Sequence, residues 1–148
     1  MNGFVAIDAS VAVKWLVNEV YTDKAFELAR SWAYSGVQPV APYLMPVEVA
    51  NVLYRRLLRT EISLTDSMLL IEGLIKAGIE FRDPYGLHNK AIELANQLQQ
   101  NDVYDAHYLA FAEIIDCDLW TADERFYRMA NKLYSRVRWL GNFRQGSV

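Results

Sequence analysis

The sequence predicts an α/β fold in which a mainly parallel central sheet carries helices on both faces. Short apolar runs alternate along the chain with longer stretches in which apolar residues recur at helical spacing. Strands that are separated by helices pair in parallel, because the chain crosses over the sheet between them. The 148 residues are 53% hydrophobic and 13% aromatic, which supports a single domain with a substantial core and argues against disorder.

Five short apolar runs are interpreted as strands, and the stretches between them as helices. Cap and turn residues support the bounds: Ser10 is placed to cap the first helix, Gly36 to end the second, Pro46 to precede the third and Asp102 to cap the sixth. The predicted strands cover residues 4–8, 37–41, 79–81, 118–121 and 137–140. The predicted helices cover about 11–17, 25–35, 47–58, 63–76, 87–98, 103–115 and 124–134.

Charge and cysteine content limit the class of protein. The net charge of −3 gives no overall attraction to nucleic acid, but the stretch from Arg125 onward is basic and holds no acid. This stretch is either a basic patch beside an acidic site or a solvated basic helix. The single cysteine, Cys117, cannot form an internal disulfide, which suits a reducing compartment. We find neither a signal peptide nor an apolar run of about 20 residues, and therefore expect a cytoplasmic protein.

Two aspartates are predicted to lie at the ends of strands. Asp8 closes the first strand and Asp123 follows the fourth. In an open parallel sheet, ligands bind beyond the carboxyl ends of the strands, where the strand order reverses. If the first and fourth strands are neighbours at this point, both carboxylates face one crevice. A position at the rim would also avoid the cost of burying an unpaired charge in the core.

Two further acids, Glu48 and Asp105, lie in apolar surroundings. Glu48 comes early in the third helix, within PVEVANVL, and Asp105 lies in the first turn of the sixth, within NDVYDAHYLAFAE. The helix dipole stabilises a first-turn aspartate by about 0.3–1 kcal/mol, so a structural role for Asp105 stays open. For any one of the four acids the alternative to function is a cap or a solvated charge. Their joint occurrence at element ends favours function.

Converging carboxylates repel one another, and they either take up protons or bind a hard cation. Mg²⁺ and Mn²⁺ prefer such oxygen ligands, and a carboxylate-bound ion can activate water and stabilise the displacement at a phosphodiester. Ser10, two residues after Asp8, and Thr121, two residues before Asp123, are placed to hold a carboxylate or a metal-bound water. Each of these hydroxyls is otherwise a plain cap or strand residue.

Four segments in order resemble the PIN-domain ribonucleases, and in particular the VapC-type toxins of bacterial and archaeal toxin–antitoxin pairs. The segments are VAIDASVAVKW, PVEVANVL, YDAHYLAFAE and LWTADERF, and their order and approximate spacing extend over nearly the whole chain. The resemblance implies a three-layer α/β/α fold, a Mg²⁺ or Mn²⁺ site, an RNA substrate, a small antitoxin partner and a homodimer or higher oligomer. Residue by residue, it implies that Asp8, Glu48, Asp105 and Asp123 form the metal site, with Ser10 and Thr121 as polar support.

Several basic residues are candidates for contact with RNA or a partner, namely Arg55, Arg56, Arg125 and Arg128. A solvated helix face is the alternative for each. His107 is expected to be structural, since on a helix it points away from Asp105, and His88 is expected at the surface.

Other classes of protein fit the sequence less well. A haloacid-type phosphatase resembles this chain at the first strand end, but Asp8-Ala9-Ser10 lacks its second aspartate. A receiver domain would have an adjacent acidic pair at the first strand end and a lysine after its last strand, and neither is present. A PIN nuclease of RNA processing or decay without an antitoxin and a catalytically weak RNA- or partner-binding PIN module remain the alternatives to the toxin.

Overall fold

The computed structural model describes residues 3–144 and contains one sheet of five parallel strands. The strands are β1 (Phe4–Ile7), β2 (Gln38–Pro42), β3 (Glu80–Arg82), β4 (Asp118–Thr121) and β5 (Val137–Trp139). The helices are α1 (Ala9–Leu16), α2 (Thr22–Ser35), α3 (Leu44–Leu58), α4 (Leu64–Ile75), α5 (Leu87–Gln97), α6 (Tyr104–Ile115) and α7 (Glu124–Ala130), followed after β5 by a short 3₁₀ turn. This confirms the α/β prediction, and the helices cover both faces of the sheet in three layers.

The strand order is β3-β2-β1-β4-β5, so the chain builds one half of the sheet outward from β1 and then returns to build the other. β1 pairs with both β2 and β4, with Ala6 opposite Val40 on one side and Leu119 on the other. The order therefore reverses between β1 and β4. This is the neighbour relation on which the expected convergence of Asp8 and Asp123 depended.

The core lies around β1 and α6. Val5, Ala6 and Ile7 of β1 are buried, as expected for the central strand of a parallel sheet covered on both faces. On α6 the continuous run from Tyr108 to Ala112 is buried, because this helix packs on β1, β2 and β4 while α5 packs against it. This burial of the middle of α6 fixes the position of the helix on the sheet.

Four predicted helix bounds were wrong by two residues or more, and one of them is the start of α2, which lies at Thr22 and not at residue 25. α1 begins at Ala9, because Asp8 and not Ser10 is its N-cap. α3 begins at Leu44 and includes Pro46 in its first turn, where the missing N–H would have had no helical partner in any case. α7 ends at Ala130, before the predicted residue 134. The Tyr134 hydroxyl instead donates to the carbonyl of Cys117 at 2.7 Å, so tertiary packing ends the helix early.

Other local predictions agree with the structure. Gly36 ends α2 in the left-handed conformation, with φ of 70°, and Ser63 caps α4 by accepting from the amide of Asp66. In residues 3–144, none of the helices has both the length and the apolar character needed to cross a bilayer.

Candidate active site

A pocket of about 390 Å³ opens at the carboxyl ends of β1 and β4, where the strand order reverses. Its walls contain all four acids singled out in the sequence, each from a different element. Asp8 follows β1, Glu48 lies on α3, Asp105 on α6 and Asp123 before α7. Ser10, Lys14, Glu19 and Tyr108 contribute further polar groups to the same walls.

Asp8 is the most deeply buried of the four, with 5% of its surface exposed. Its Oδ1 accepts hydrogen bonds from the Ser10 hydroxyl at 2.5 Å and from the amide of Val11 at 3.3 Å. Burial raises the pKa of the Asp8 carboxyl to about 7, against the opposite effect of these bonds, and the nearby Asp105 adds to the rise. The first strand thus ends on a carboxylate that caps a helix and faces the pocket in a poorly solvated position.

Ser10 connects β1 to the segment after β4. Besides donating to Asp8, its Oγ accepts from the amide of Ala122 at 2.8 Å and lies 3.3 Å from the Thr121 hydroxyl. Thr121 is fully buried, and its Oγ1 accepts from the amide of Asp123 at 3.1 Å. The structure therefore places both predicted polar residues between Asp8 and Asp123, where they fix the two segments that carry these acids.

Asp123 caps α7, since its Oδ1 accepts from the amide of Phe126 at 3.1 Å. Two of the four acids, Asp8 and Asp123, therefore have the capping role that the sequence left as an alternative. Capping uses the Oδ1 atom of each carboxylate.

Asp105 occupies the first turn of α6, half-buried in the pocket wall. Burial raises its pKa to about 6, and Asp123, Glu48 and Asp102 add to the rise in that order. Asp102 was predicted to cap α6, but the N-cap position is occupied by Val103. Asp102 nevertheless accepts a hydrogen bond from the amide of Tyr104 at 3.3 Å, at the start of the helix. Burial is therefore the main cause of the raised pKa of Asp105, and repulsion by nearby carboxylates adds to it.

Glu48 is paired with a residue that the sequence did not indicate. The Tyr108 hydroxyl donates to Glu48 Oε1 at 2.5 Å, across the gap between α6 and α3. Burial raises the pKa of Glu48, and the bond from Tyr108 opposes that rise. A signal was present, because Tyr108 lies three residues after Asp105 and so shares its helix face. Residue spacing could not predict that α3 places Glu48 opposite that face of α6.

None of the four candidate arginines is among the residues from 3 to 144 that line the pocket. Arg56 forms ion pairs with Glu19 at 2.5 Å and Glu61 at 3.1 Å, and Arg128 pairs with Glu124 at 2.6 Å. Arg55 and Arg125 are exposed on α3 and α7. The basic side chain that does line the pocket is Lys14, which the sequence reading passed over.

The two histidines contact each other. His88 Nδ1 lies 2.9 Å from His107 Nε2, and His107 Nδ1 lies 2.7 Å from the carbonyl of Val103. His107 therefore donates from Nδ1 to the backbone, while the exposed His88 joins α5 to α6.

The donor set suits a hard cation held partly through water. Oxygen ligands predominate around the pocket, and their repulsion is the kind of strain that a divalent cation relieves. Within residues 3–144, however, no three Asp, Glu, His or Cys side chains stand close enough to hold an ion directly. Mg²⁺ commonly binds through one or two carboxylates and keeps several waters, and the residues fit that manner of binding.

A larger pocket of about 560 Å³ lies elsewhere, between α2, the sheet and the segment after β5. Aromatic side chains such as Trp32, Trp120 and Phe143 line it, and none of the four acids does. The larger of the two pockets is therefore not the one that contains the carboxylates.

Fold and site together describe an α/β/α protein whose acidic pocket lies at the reversal of the strand order. The chain belongs to the PIN domain family, whose model matches residues 5–132. PIN domains are generally nucleases. This confirms the family resemblance drawn from the four sequence segments.

Solved structures share the fold at low sequence identity. PAE2754 from Pyrobaculum aerophilum has a TM-score of 0.63 and 16% identity, over 94% of this chain and 97% of that one. VapC20 from Mycobacterium tuberculosis, described as a toxin that cleaves the sarcin–ricin loop, has a TM-score of 0.63 and 13% identity, over 82% of this chain and 92% of that one. No curated protein sequence gives a significant match.

Proposed function

We propose that this protein is a Mg²⁺- or Mn²⁺-dependent endoribonuclease and the toxin of a type II toxin–antitoxin pair. Asp8, Glu48, Asp105 and Asp123 would form the metal site, and Ser10 and Thr121 would support it. The observation that carries the proposal is that these four carboxylates, each from a different element of a PIN domain, line one pocket.

The electrostatics of the pocket support a cation as part of the site. Asp8 and Asp105 both have raised pKa values, because burial and neighbouring carboxylates disfavour their charged forms. A bound divalent ion would supply Lewis-acid stabilisation of the phosphodiester and activation of water. It would also restore the ionised form of both acids near neutral pH.

The remaining side chains would hold the acids in place. The Ser10 hydroxyl restrains Asp8 through Oδ1, and Thr121 restrains the backbone of Asp123. The Tyr108 hydroxyl restrains Glu48 through Oε1. In each case a hydrogen bond from the chain limits the rotation of a carboxylate or of the segment that carries it, and such preorganisation reduces the cost of assembling the reactive geometry.

The proposal of RNA as substrate and of a toxin role draws on the family and on the fold shared with VapC20. Protein partners, a small antitoxin and further copies of the chain, form part of the same proposal. Its support is an exposed apolar surface on α3 and α4. Large apolar patches of this kind on a soluble domain often mark sites of contact with another protein. The surface comprises Val47, Tyr54, Leu58, Leu64, Met68 and Ile75, each more than half exposed.

Cleavage of RNA by matched variants tests the nuclease proposal. Purified protein is incubated with RNA in Mg²⁺, Mn²⁺ or EDTA, and RNA ends are sequenced after induced expression. Asp105→Asn should lose cleavage by at least a hundredfold, because several kcal/mol of metal-assisted stabilisation are at stake and each 1.36 kcal/mol is tenfold in rate.

Asp66→Asn is the control, since Asp66 is also a first-turn aspartate but is exposed on α4. It should cleave normally. Near-normal cleavage by folded Asp105→Asn, or undiminished cleavage in EDTA, would refute the metal-site proposal. A toxic chain whose growth arrest is not relieved by the product of any adjacent gene would instead favour the processing nuclease.

A further inference from the structure

Lys14 gives the acidic pocket a positively charged wall. Among the pocket-lining residues within 3–144 it is the one cation, facing a cavity that also contains the four acids. Its side chain is 12% exposed and its ammonium lies 3.3 Å from Glu19 Oε1. A lysine this well covered, at the rim of an acidic pocket, is held there by a specific arrangement.

The arrangement is a chain of ion pairs that runs from α1 to α3. Glu19 is bridged by two cations, since its Oε1 meets Lys14 and its Oε2 meets Arg56 Nη2 at 2.5 Å. Arg56 in turn meets Glu61 through Nη1 at 3.1 Å. The contact of Arg56 with Glu19 is the shorter and uses a different oxygen, so Glu19 stays neutralised when Lys14 leaves it.

This makes Lys14 the replaceable partner. A carboxylate left without any cation in a half-buried position would be costly, but Glu19 keeps Arg56. An RNA strand that enters the pocket brings phosphates to a wall of carboxylates, which repel it. The Lys14 ammonium can leave Glu19 at low cost and would then offset that repulsion. Contacts between lysine and phosphate supply much of the affinity of proteins for nucleic acid.

We propose that Lys14 binds a backbone phosphate of the RNA next to the acidic site. Glu19, held by Arg56, pairs with the ammonium in the absence of RNA, and the phosphate takes the place of Glu19 when RNA binds. This inference rests on the proposed nuclease function and adds a substrate contact to it. The competing explanation is that Lys14 and Glu19 merely tie α1 to the following loop.

The test measures RNA binding separately from cleavage. A fluorescently labelled single-stranded RNA is titrated by anisotropy at several salt concentrations, in an Asp105→Asn background that keeps the RNA intact. Lys14→Met should raise Kd about tenfold at low salt and reduce the slope of log K against log salt by about 0.7, the value for one phosphate on a single strand. Lys14→Arg should restore most of the binding. Lys76→Met is the control, because Lys76 is exposed at the end of α4, near the start of β3 and away from the pocket.

Glu19→Gln separates the two explanations, also if Lys14→Met does not fold. It removes the carboxylate that competes with phosphate for the Lys14 ammonium, so Kd should fall if Lys14 contacts phosphate. If the pair is only a structural tie, Glu19→Gln and Lys14→Met should lower the melting temperature equally, and neither should change Kd or the salt slope in the folded protein. An unchanged Kd for either folded variant, or weaker binding by Glu19→Gln, would overturn the inference. If the wild-type protein does not cleave RNA, that result counts against the proposed function alone, because the binding measurement does not depend on turnover.

Discussion

Replacing Asp8 with asparagine should make the metal-free protein more stable at alkaline pH while abolishing RNA cleavage. Asp8 is buried and its pKa is raised from 3.8 to about 7, so the folded protein holds a proton that the unfolded chain has already released. Folding stability is therefore lost as pH rises from about 4 to about 7. Asparagine carries no charge to desolvate, and its Oδ1 can still accept from Ser10 and cap α1.

The magnitude follows from these two pKa values. Linkage predicts that the ionisation of Asp8 removes about 2–3 kcal/mol of wild-type stability between pH 5 and pH 8. The Asp8→Asn variant would lose none of this stability. If the new amide N–H groups find no acceptor, the variant is destabilised by about 1–3 kcal/mol, and this cost is the same at every pH. The difference in stability between variant and wild type should therefore shift by about 2–3 kcal/mol in favour of the variant over this range.

Urea unfolding in EDTA at half-unit steps from pH 5 to pH 8 measures the difference. Asp105, whose pKa is also raised, contributes in both proteins and largely cancels. A difference that stays flat or falls with pH would refute the reasoning that Asp8 is a desolvated acid in a repelling pocket. Near-normal cleavage by the folded variant, free of contaminating nuclease, would refute the metal-site proposal itself.

Three further expectations follow from the same pocket. Mg²⁺ or Mn²⁺ should raise the melting temperature of the wild type progressively, by mass action on the folded state, and an unchanged value across a wide titration would count against a functional site. Tyr108→Phe should fold normally but weaken Mn²⁺ binding measured by calorimetry, because Glu48 loses the hydroxyl that restrains it. The control is Tyr134→Phe, which removes a hydroxyl bonded to the carbonyl of Cys117 and should leave Mn²⁺ binding unchanged. Ser10→Ala should cost about 1–3 kcal/mol in urea unfolding, since the amide of Ala122 loses its acceptor; a cost below about 0.5 kcal/mol would show that water replaces the hydroxyl.

The sequence predicted the sheet and the placement of its acids because both follow from local signals. Apolar runs flanked by helical periodicity located all five strands to within about two residues, and the parallel pairing followed from the intervening helices. Asp8 and Asp123 were expected at strand ends, and the neighbour relation of β1 and β4 brings them to one pocket. What these acids do chemically stays a prediction.

Contacts between distant segments were beyond the sequence. Tyr108 and Glu48 are 60 positions apart, and Arg56 and Glu19 are 37 apart, so nothing in local spacing couples them. Arg56 was offered for RNA or partner contact, but its guanidinium is engaged by two glutamates of the same chain. Surface lysines and arginines read alike in a sequence, and only the fold distinguishes one that pairs from one that faces a pocket.

The choice of helix cap shows a subtler ambiguity. Asp8 and Ser10 are both good N-cap residues and lie within one turn, so the start of α1 was placed two residues too late. Asp8 is the N-cap because its side chain accepts from the amide of Val11. The Ser10 hydroxyl is instead bonded to Asp8 and to the amide of Ala122. A residue interpreted as a local cap is thus a tertiary link.

That link between β1 and β4 has a consequence for how the protein is made. Ser10 and Thr121 meet across 111 positions of sequence, and most of the described helices and strands lie between them. During synthesis on the ribosome, the nascent chain exposes Asp8 and Ser10 long before β4 has been translated. The pocket can form only after Asp123 and α7 have left the exit tunnel, so the nascent chain would lack a complete acidic site until that point.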